Sequence, residues 1–258
     1  MSAADIQSPA VSVVMPVYNA APFLETSIGC VLAQTFSDWE LILVNDGSSD
    51  GSVEKIRGIR ERHPEARIRL LDDGRNDGAA AARNKGIRAA GGRYLAFLDA
   101  DDLWLPGKLD HQVRFMEETG AAFSCTAYEF GDTKGKGTGR IVHAKPCLTY
   151  KKALTRTIVF TSTVMLDLHQ LSREQVQMPE CPSEDTALWW QLMREGSICR
   201  GLDEVLTVYR RSAGTLSSDK REAVRRIWYL YRQREHLNPL HAAVCLAGWA
   251  VRATLRRL

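Results

Sequence analysis

Over the first hundred residues, short β-branched apolar runs alternate with longer stretches whose apolar positions recur at helical spacing, the pattern of repeated βαβ units. Strands are predicted over 11–16, 40–45, 67–71 and 93–98, and helices over 23–34, 52–62 and 79–90, the last closed by Gly91-Gly92. Right-handed crossovers between such strands give an open parallel sheet. A further helix is expected to open near Pro106, and a fifth strand over 121–130. Beyond it the period weakens. Glycines and lysines interleaved over 131–139 predict a hairpin tip, followed by a short helix over 150–156, an apolar patch over 158–166, a helix over 183–194 and a strand over 204–209. Two helices, roughly 218–236 and 239–257, close the chain, and no internal repeat is visible.

Composition narrows the class. With 258 residues and 45% apolar content the chain can bury a sizeable core. Its net charge of +3 is unevenly spread: from Arg210 onward eleven Lys and Arg stand against three acids, a local +8 that leaves −5 for the rest. Such a tail suits an anionic surface, membrane lipid or nucleic acid. The six cysteines form no Cys-x-x-Cys pair and the histidines do not cluster, so neither a zinc site nor a disulfide framework is expected. Residues 1–9 lack a signal-peptide pattern and no apolar run approaches about 18 residues, so the expected location is the cytoplasm.

The chemistry concentrates where strands end. Arg93-Tyr-Leu-Ala-Phe-Leu-Asp-Ala-Asp-Asp102 delivers Asp99, Asp101 and Asp102 to the carboxyl edge of the sheet, where ligands bind in open α/β folds. Carboxylates so close call for a cation, and a divalent metal holding a phosphorylated substrate fits. Capping of the next helix is the other reading. Pro16-Val-Tyr-Asn19 and Asn45-Asp-Gly-Ser-Ser-Asp50 reach the same edge, so Asp46 accepts an imide N–H from a base, or else closes an Asx-turn or caps a helix. After the third strand, Arg75 to Lys85 opens a helix with small residues, Arg83 and Lys85, suited to a diphosphate or simply good helix sequence. Neither a P-loop nor a Gly-x-Gly-x-x-Gly fingerprint occurs. Glu184 and Asp185 stand in the first turn of a predicted helix, where acids are favoured anyway and where Asp185 could act as a general base.

Taken together, Val13-Val-Met-Pro-Val-Tyr-Asn19, Phe36-Ser-Asp-Trp-Glu-Leu-Ile-Leu-Val-Asn-Asp-Gly-Ser-Ser-Asp50, Ala82-Arg-Asn-Lys-Gly86, Tyr94-Leu-Ala-Phe-Leu-Asp-Ala-Asp-Asp102 and Ser183-Glu-Asp185 resemble family 2 glycosyltransferases. Five blocks in this order cover about residues 10–210. The resemblance implies a GT-A (Rossmann-like) fold of the α/β class, an open, mostly parallel sheet flanked by helices. It implies a nucleotide-binding half over 10–102, an acceptor half over 103–210, and beyond them a basic helical C-terminal extension over 211–258. It further implies an inverting transfer from a nucleotide-sugar, usually UDP-linked, with Mn²⁺ or Mg²⁺, to a saccharide or lipid-linked saccharide of the cell surface.

Carried onto this sequence, the donor residues are Pro16, Val17, Tyr18, Asn19, Asp46, Arg83, Asn84, Asp99 and Ala100, the metal ligand is Asp101 and the base Asp185. Two departures stand out. Ser212 occupies the position of a usual His in Tyr209-Arg-Arg-Ser-Ala-Gly-Thr-Leu-Ser217, leaving Arg210 or Arg211 to meet the diphosphate, and Asn45 replaces a common Asp. The alternatives are a non-catalytic sugar-nucleotide-binding module, favoured by Ser212, and a haloacid-type phosphatase, disfavoured by Leu103 and by a motif on the fourth strand. For the last helix two roles compete: a core helix covering the sheet, or an amphipathic contact with the inner face of the cell membrane. Nucleic acid is not expected as a partner.

Overall fold

The computed structural model describes residues 8–156, 158–210 and 220–255. The first half follows the expected alternation: β1 (Val11–Val17), α1 (Leu24–Leu32), β2 (Trp39–Asn45), α2 (Ser52–Arg62), β3 (Ile68–Asp72), α3 (Ala79–Ala89) and β4 (Tyr94–Phe97). The second half adds β5 (Leu103–Trp104), α4 (Lys108–Thr119), β6 (Phe123–Gly131), β7 (Gly137–Val142), β8 (Cys147–Leu148), α5 (Tyr150–Ala153), β9 (Met165–Asp167), α6 (Glu184–Arg194), β10 (Cys199–Arg210), α7 (Lys220–Tyr229) and α8 (Pro239–Leu255). A π-helical turn, Leu230–Arg234, follows α7.

All these strands join one sheet, in the order β3-β2-β1-β4-β9-β6-β10-β5, with β7 on β6 and β8 on β10. The long pairings, β1 with β2 and β4, β2 with β3, and β6 with β10, are parallel. Every antiparallel pairing is short. The apolar patch over 158–166 ends in β9, which runs antiparallel between β4 and β6 and restores the common direction on its far side.

Burial on both faces explains the unbroken apolar runs: all seven residues of β2 are buried. One layer packs α1, α2 and α4 through Ile28, Ile56 and Leu109; the other packs α3, α6 and α8 through Ile87, Trp189 and Ala242. Close approach of α3 to β1 depends on Gly86, where a Cβ would lie 2.4 Å from Val14 Cγ1. The last helix has one buried face and one exposed one. Ala242 and Cys245 are buried while Leu240, Val244 and Val251 are 77%, 63% and 59% exposed. No helix among the described residues is long and apolar enough to cross a membrane.

Candidate functional site

Because β1, β2, β4, β6 and β10 share one direction, their carboxyl ends meet along one edge, and the expected residues gather there. Pro16 and Val17 end β1, and the Val17 carbonyl accepts the Asp46 N–H at 2.8 Å, tying the β1 and β2 ends together. Tyr18 is 56% exposed beside them. Asn19 takes the left-handed conformation that Asn tolerates better than most residues, φ 48°, and is held by bonds to Ser48 Oγ and from the Ser49 N–H. Asp46 is buried, and its carboxylate accepts the backbone N–H groups of Asp77 (2.8 Å) and Gly78 (3.1 Å). It therefore sits at the N-terminal approach to α3, where backbone donors and the helix dipole favour a negative charge.

Three α3 residues offered as donor contacts have protein partners. Arg83, expected at a diphosphate, is buried and bridges two protein carboxylates, Asp99 at 2.6 Å and Glu184 at 2.7 Å. Burial opposes its charge, but Asp99 and Glu184 overcome that and hold the guanidinium above its ordinary range. Asn84 makes a two-way pair with the backbone of Met178, donating at 2.8 Å and accepting at 2.7 Å. Lys85 pairs with Asp73 and Asp77.

The three acids after β4 diverge. Asp99 faces Arg83, and Ala100 beside it is buried. Asp102 is fully buried, accepting Ser162 Oγ at 2.6 Å and the Arg210 N–H at 3.1 Å. Capping of the next helix, the other reading of these acids, is not made by Asp102: α4 starts at Lys108 with no side-chain cap, and Asp102 instead ties the chain after β4 to the end of β10. Burial, then Asp99 and Asp101, push its carboxyl well above the ordinary range. Asp101 alone of the three has no ion pair or bond to another side chain among the described residues, and burial and then Asp99 raise its pKa.

That arrangement fits a hard divalent ion. Among the described residues no group of three or more His, Cys, Asp or Glu is arranged to hold an ion unaided. Mg²⁺-type sites commonly take one or two carboxylates and complete their shell with water and substrate phosphates. Asp101 is a carboxylate of that kind.

Across the edge, Ser183 adopts φ 56° and turns the chain into α6, whose first turn carries Glu184 and Asp185. Asp185 accepts Thr161 Oγ1 at 2.8 Å and the Thr186 N–H at 2.6 Å. The Glu184 carboxyl is raised by burial and by Asp185 in spite of Arg83. The 3₁₀ turn Thr161–Thr163 is what the sequence reading missed. Its Ser162 hydroxyl donates to Asp102 and accepts the Asp99 N–H at 3.0 Å, while its neighbour Thr161 holds Asp185. A Thr-Ser-Thr in an aperiodic stretch gives no signal of such a role. Arg210, the other diphosphate candidate, is buried, with its guanidinium on Thr26 Oγ1 at 2.9 Å and over the Phe23 ring. Arg211 and Ser212 lie outside the described residues.

The sequence pattern described as "Glycosyl transferase family 2" matches residues 12–167. The chain is 38% identical over 251 residues, 97% of its length and 98% of the relative's, to the "Putative teichuronic acid biosynthesis glycosyltransferase TuaG" of Bacillus subtilis (strain 168). It is 34% identical over 219 residues, 84% of its length and 83% of the relative's, to the "UDP-Glc:alpha-D-GlcNAc-diphosphoundecaprenol beta-1,3-glucosyltransferase WfgD" of Escherichia coli. Among solved structures, S. aureus TarS 1-349 in complex with UDP-GlcNAc superposes with TM-score 0.68 at 19% identity, covering 93% of this chain and 71% of the other. The mannosyltransferase PcManGT of Pyrobaculum calidifontis, in complex with GDP-Man and Mn²⁺, gives 0.69 at 18% identity, covering 95% and 74%. These structural likenesses carry the fold, and the sequence matches carry the family: the chain belongs to glycosyl transferase family 2 and is a glycosyltransferase of GT-A fold.

Proposed function

We propose that the protein transfers a sugar from a UDP-sugar, with Mn²⁺ or Mg²⁺ at Asp101, to a hydroxyl of a cell-envelope polysaccharide or lipid-linked oligosaccharide, with inversion at the anomeric carbon. The observation that carries this is the arrangement along the edge: Asp101 at its centre without an ion pair or side-chain bond among the described residues, Asp46 on one side and Asp185 on the other. The donor and acceptor classes are those in the names of WfgD and of the TarS complex.

In this reading residues 10–102 hold the donor. Pro16, Val17, Tyr18 and Asn19 line the base pocket, and Asp46 takes the imide N–H on a lone pair left by its two backbone bonds. Asp99 and Ala100 lie along the nucleoside and diphosphate, while Arg83 and Asn84 act one step removed, as positioning residues for Asp99 and for the Met178 segment. When bound at Asp101, the ion would supply Lewis-acid stabilisation of the diphosphate as charge develops on it. Asp185 takes the proton of the acceptor hydroxyl as its oxygen bonds to the anomeric carbon and the sugar-phosphate bond breaks on the opposite face. For the diphosphate the sequence offers Arg210 and Arg211; the Arg210 guanidinium lies on Thr26 Oγ1, and Arg211 lies outside the described residues.

The exposed stripe of α8 and the arginines after Arg210 suit a peripheral contact with the anionic inner face of the cell membrane, beside a lipid-linked acceptor. The test of the reaction is release of UDP from a UDP-sugar with Mn²⁺ only when a saccharide acceptor is added. Turnover that survives chelation in full, or the absence of thermal stabilisation by every UDP-, GDP- and dTDP-sugar tried, would overturn it.

A further inference from the structure

Four aromatic rings gather at the carboxyl ends of β6 and β10, unused by the chemistry above. Phe160 and Tyr209 lie 4.3 Å apart between centroids, Tyr128 is 5.4 Å from Phe160, and Phe130 is 5.7 Å from Tyr209. In the parallel register Tyr128 faces Thr207 and Phe130 faces Tyr209, so these side chains share one face of the sheet. It is the site's face, because Thr207 Oγ1 reaches the Ser162 carbonyl at 3.4 Å. Tyr128 is buried beneath, whereas Phe130, Phe160 and Tyr209 are only half-buried.

Their place in the chain ties them to the acceptor end. Phe160 immediately precedes Thr161, which holds Asp185, and Tyr209 immediately precedes Arg210, whose N–H holds Asp102. From these relationships we infer that Phe160 and Tyr209 form the platform on which a pyranose ring of the acceptor rests while its hydroxyl meets Asp185. A pyranose presents a face of C–H groups carrying partial positive charge, and an aromatic face is electron-rich, so the two stack with a preferred orientation. Rigid rings held by a buried Tyr128 offer that contact at little entropic cost. A nucleoside base is excluded from this place by distance along the sheet, since the base-pocket candidates lie at β1 and β2, with β4, β9 and β6 between them and β10.

This inference rests on the transfer reaction proposed above. The test uses the full chain with Mn²⁺, UDP-glucose as donor and an alkyl-diphosphate-linked GlcNAc as acceptor probe, comparing wild type with Phe160→Leu, Tyr209→Leu and Phe160→Trp. Each Leu variant is expected to raise the acceptor KM about three- to tenfold, to leave thermal stabilisation by UDP-glucose unchanged, and Phe160→Trp to restore the acceptor KM. An unchanged acceptor KM in both Leu variants, or loss of donor stabilisation in step with activity, would overturn the platform while wild-type turnover left the reaction standing. Wild-type protein that releases no UDP with this or any other saccharide acceptor would overturn the reaction itself, and the platform with it.

Discussion

Thr161 Oγ1 donates to Asp185 Oδ2 at 2.8 Å, so the carboxylate assigned as base is aimed by a hydroxyl from a turn that also holds the acid cluster. Removing the base itself is expected to cost about 10²- to 10⁴-fold in kcat. Asp185→Asn should show that loss with donor binding intact; Thr161→Val, which frees the carboxylate to rotate, should lose about tenfold in kcat with the donor KM unmoved. Steady-state kinetics on both variants check this, and wild-type rates in Asp185→Asn would remove that residue from the role.

The carboxyl of Asp101 has a pKa raised by burial and by Asp99, which means that the folded state disfavours its ionised form. Stability from this group is fully present below the ordinary carboxylate value, near about 3.9, and declines as pH rises toward the raised one. Without metal, Asp101→Asn is therefore expected to melt at or above wild type near neutral pH, with the gap closing as pH falls through the carboxylate range. With Mn²⁺ and UDP-sugar the order should reverse, because only the carboxylate binds the ion. Melting curves across pH, with and without ligand, provide the measurement.

For Arg83 the expected effect is on folding as well as activity. Its side chain is 8% exposed between Asp99 and Glu184, and truncation leaves two carboxylates without a cation. Breaking a buried pair from one side costs about 3–5 kcal/mol, and part-exposure of the acids (23% and 21%) places Arg83→Met toward the lower figure. Urea denaturation measures it. Arg83→Met combined with Asp99→Asn and Glu184→Gln should recover much of the loss, which distinguishes stranded charge from lost packing.

On α8 the exposed stripe separates surface from core. Val244→Glu with Val251→Glu is expected to leave the melting temperature within a degree or so of wild type, since both residues project into solvent. The same pair should abolish flotation with vesicles containing anionic lipid. Equal flotation of variant and wild type would end the membrane reading.

Much of this was legible in the chain. The strands that carry Asp46 and Asp99 announce themselves because they are buried on both faces and end abruptly in acids, and Asp185 follows a helix-start pattern. What could not be read depends on partners distant in sequence. β9 is three residues long and owes its place to β4 and β6, so no local period marks it. Arg83 reads as a free cation until Glu184, 101 residues away, is seen beside it. Asp102 looks like a third ligand or a cap because nothing near it in sequence hints at Ser162 or the Arg210 backbone. Asn45, which departs from the family's usual acid, donates to Asp72 at 2.9 Å and so fastens β2 to β3, a bond that another carboxylate there could not make while both are ionised.

Gly86 lies three residues beyond Arg83 on the same helix, where α3 rests on Val14 with no room for a methyl group. The seating of that helix on β1 thus sets how far the guanidinium can reach, and with it the spacing between the two halves of the site. The tight limit on side-chain size here falls at a position whose nearest neighbour is a strand side chain, Val14. A larger residue at Gly86 would work like a shim under a bearing, misaligning donor and acceptor sides without changing the identity of any residue assigned to either.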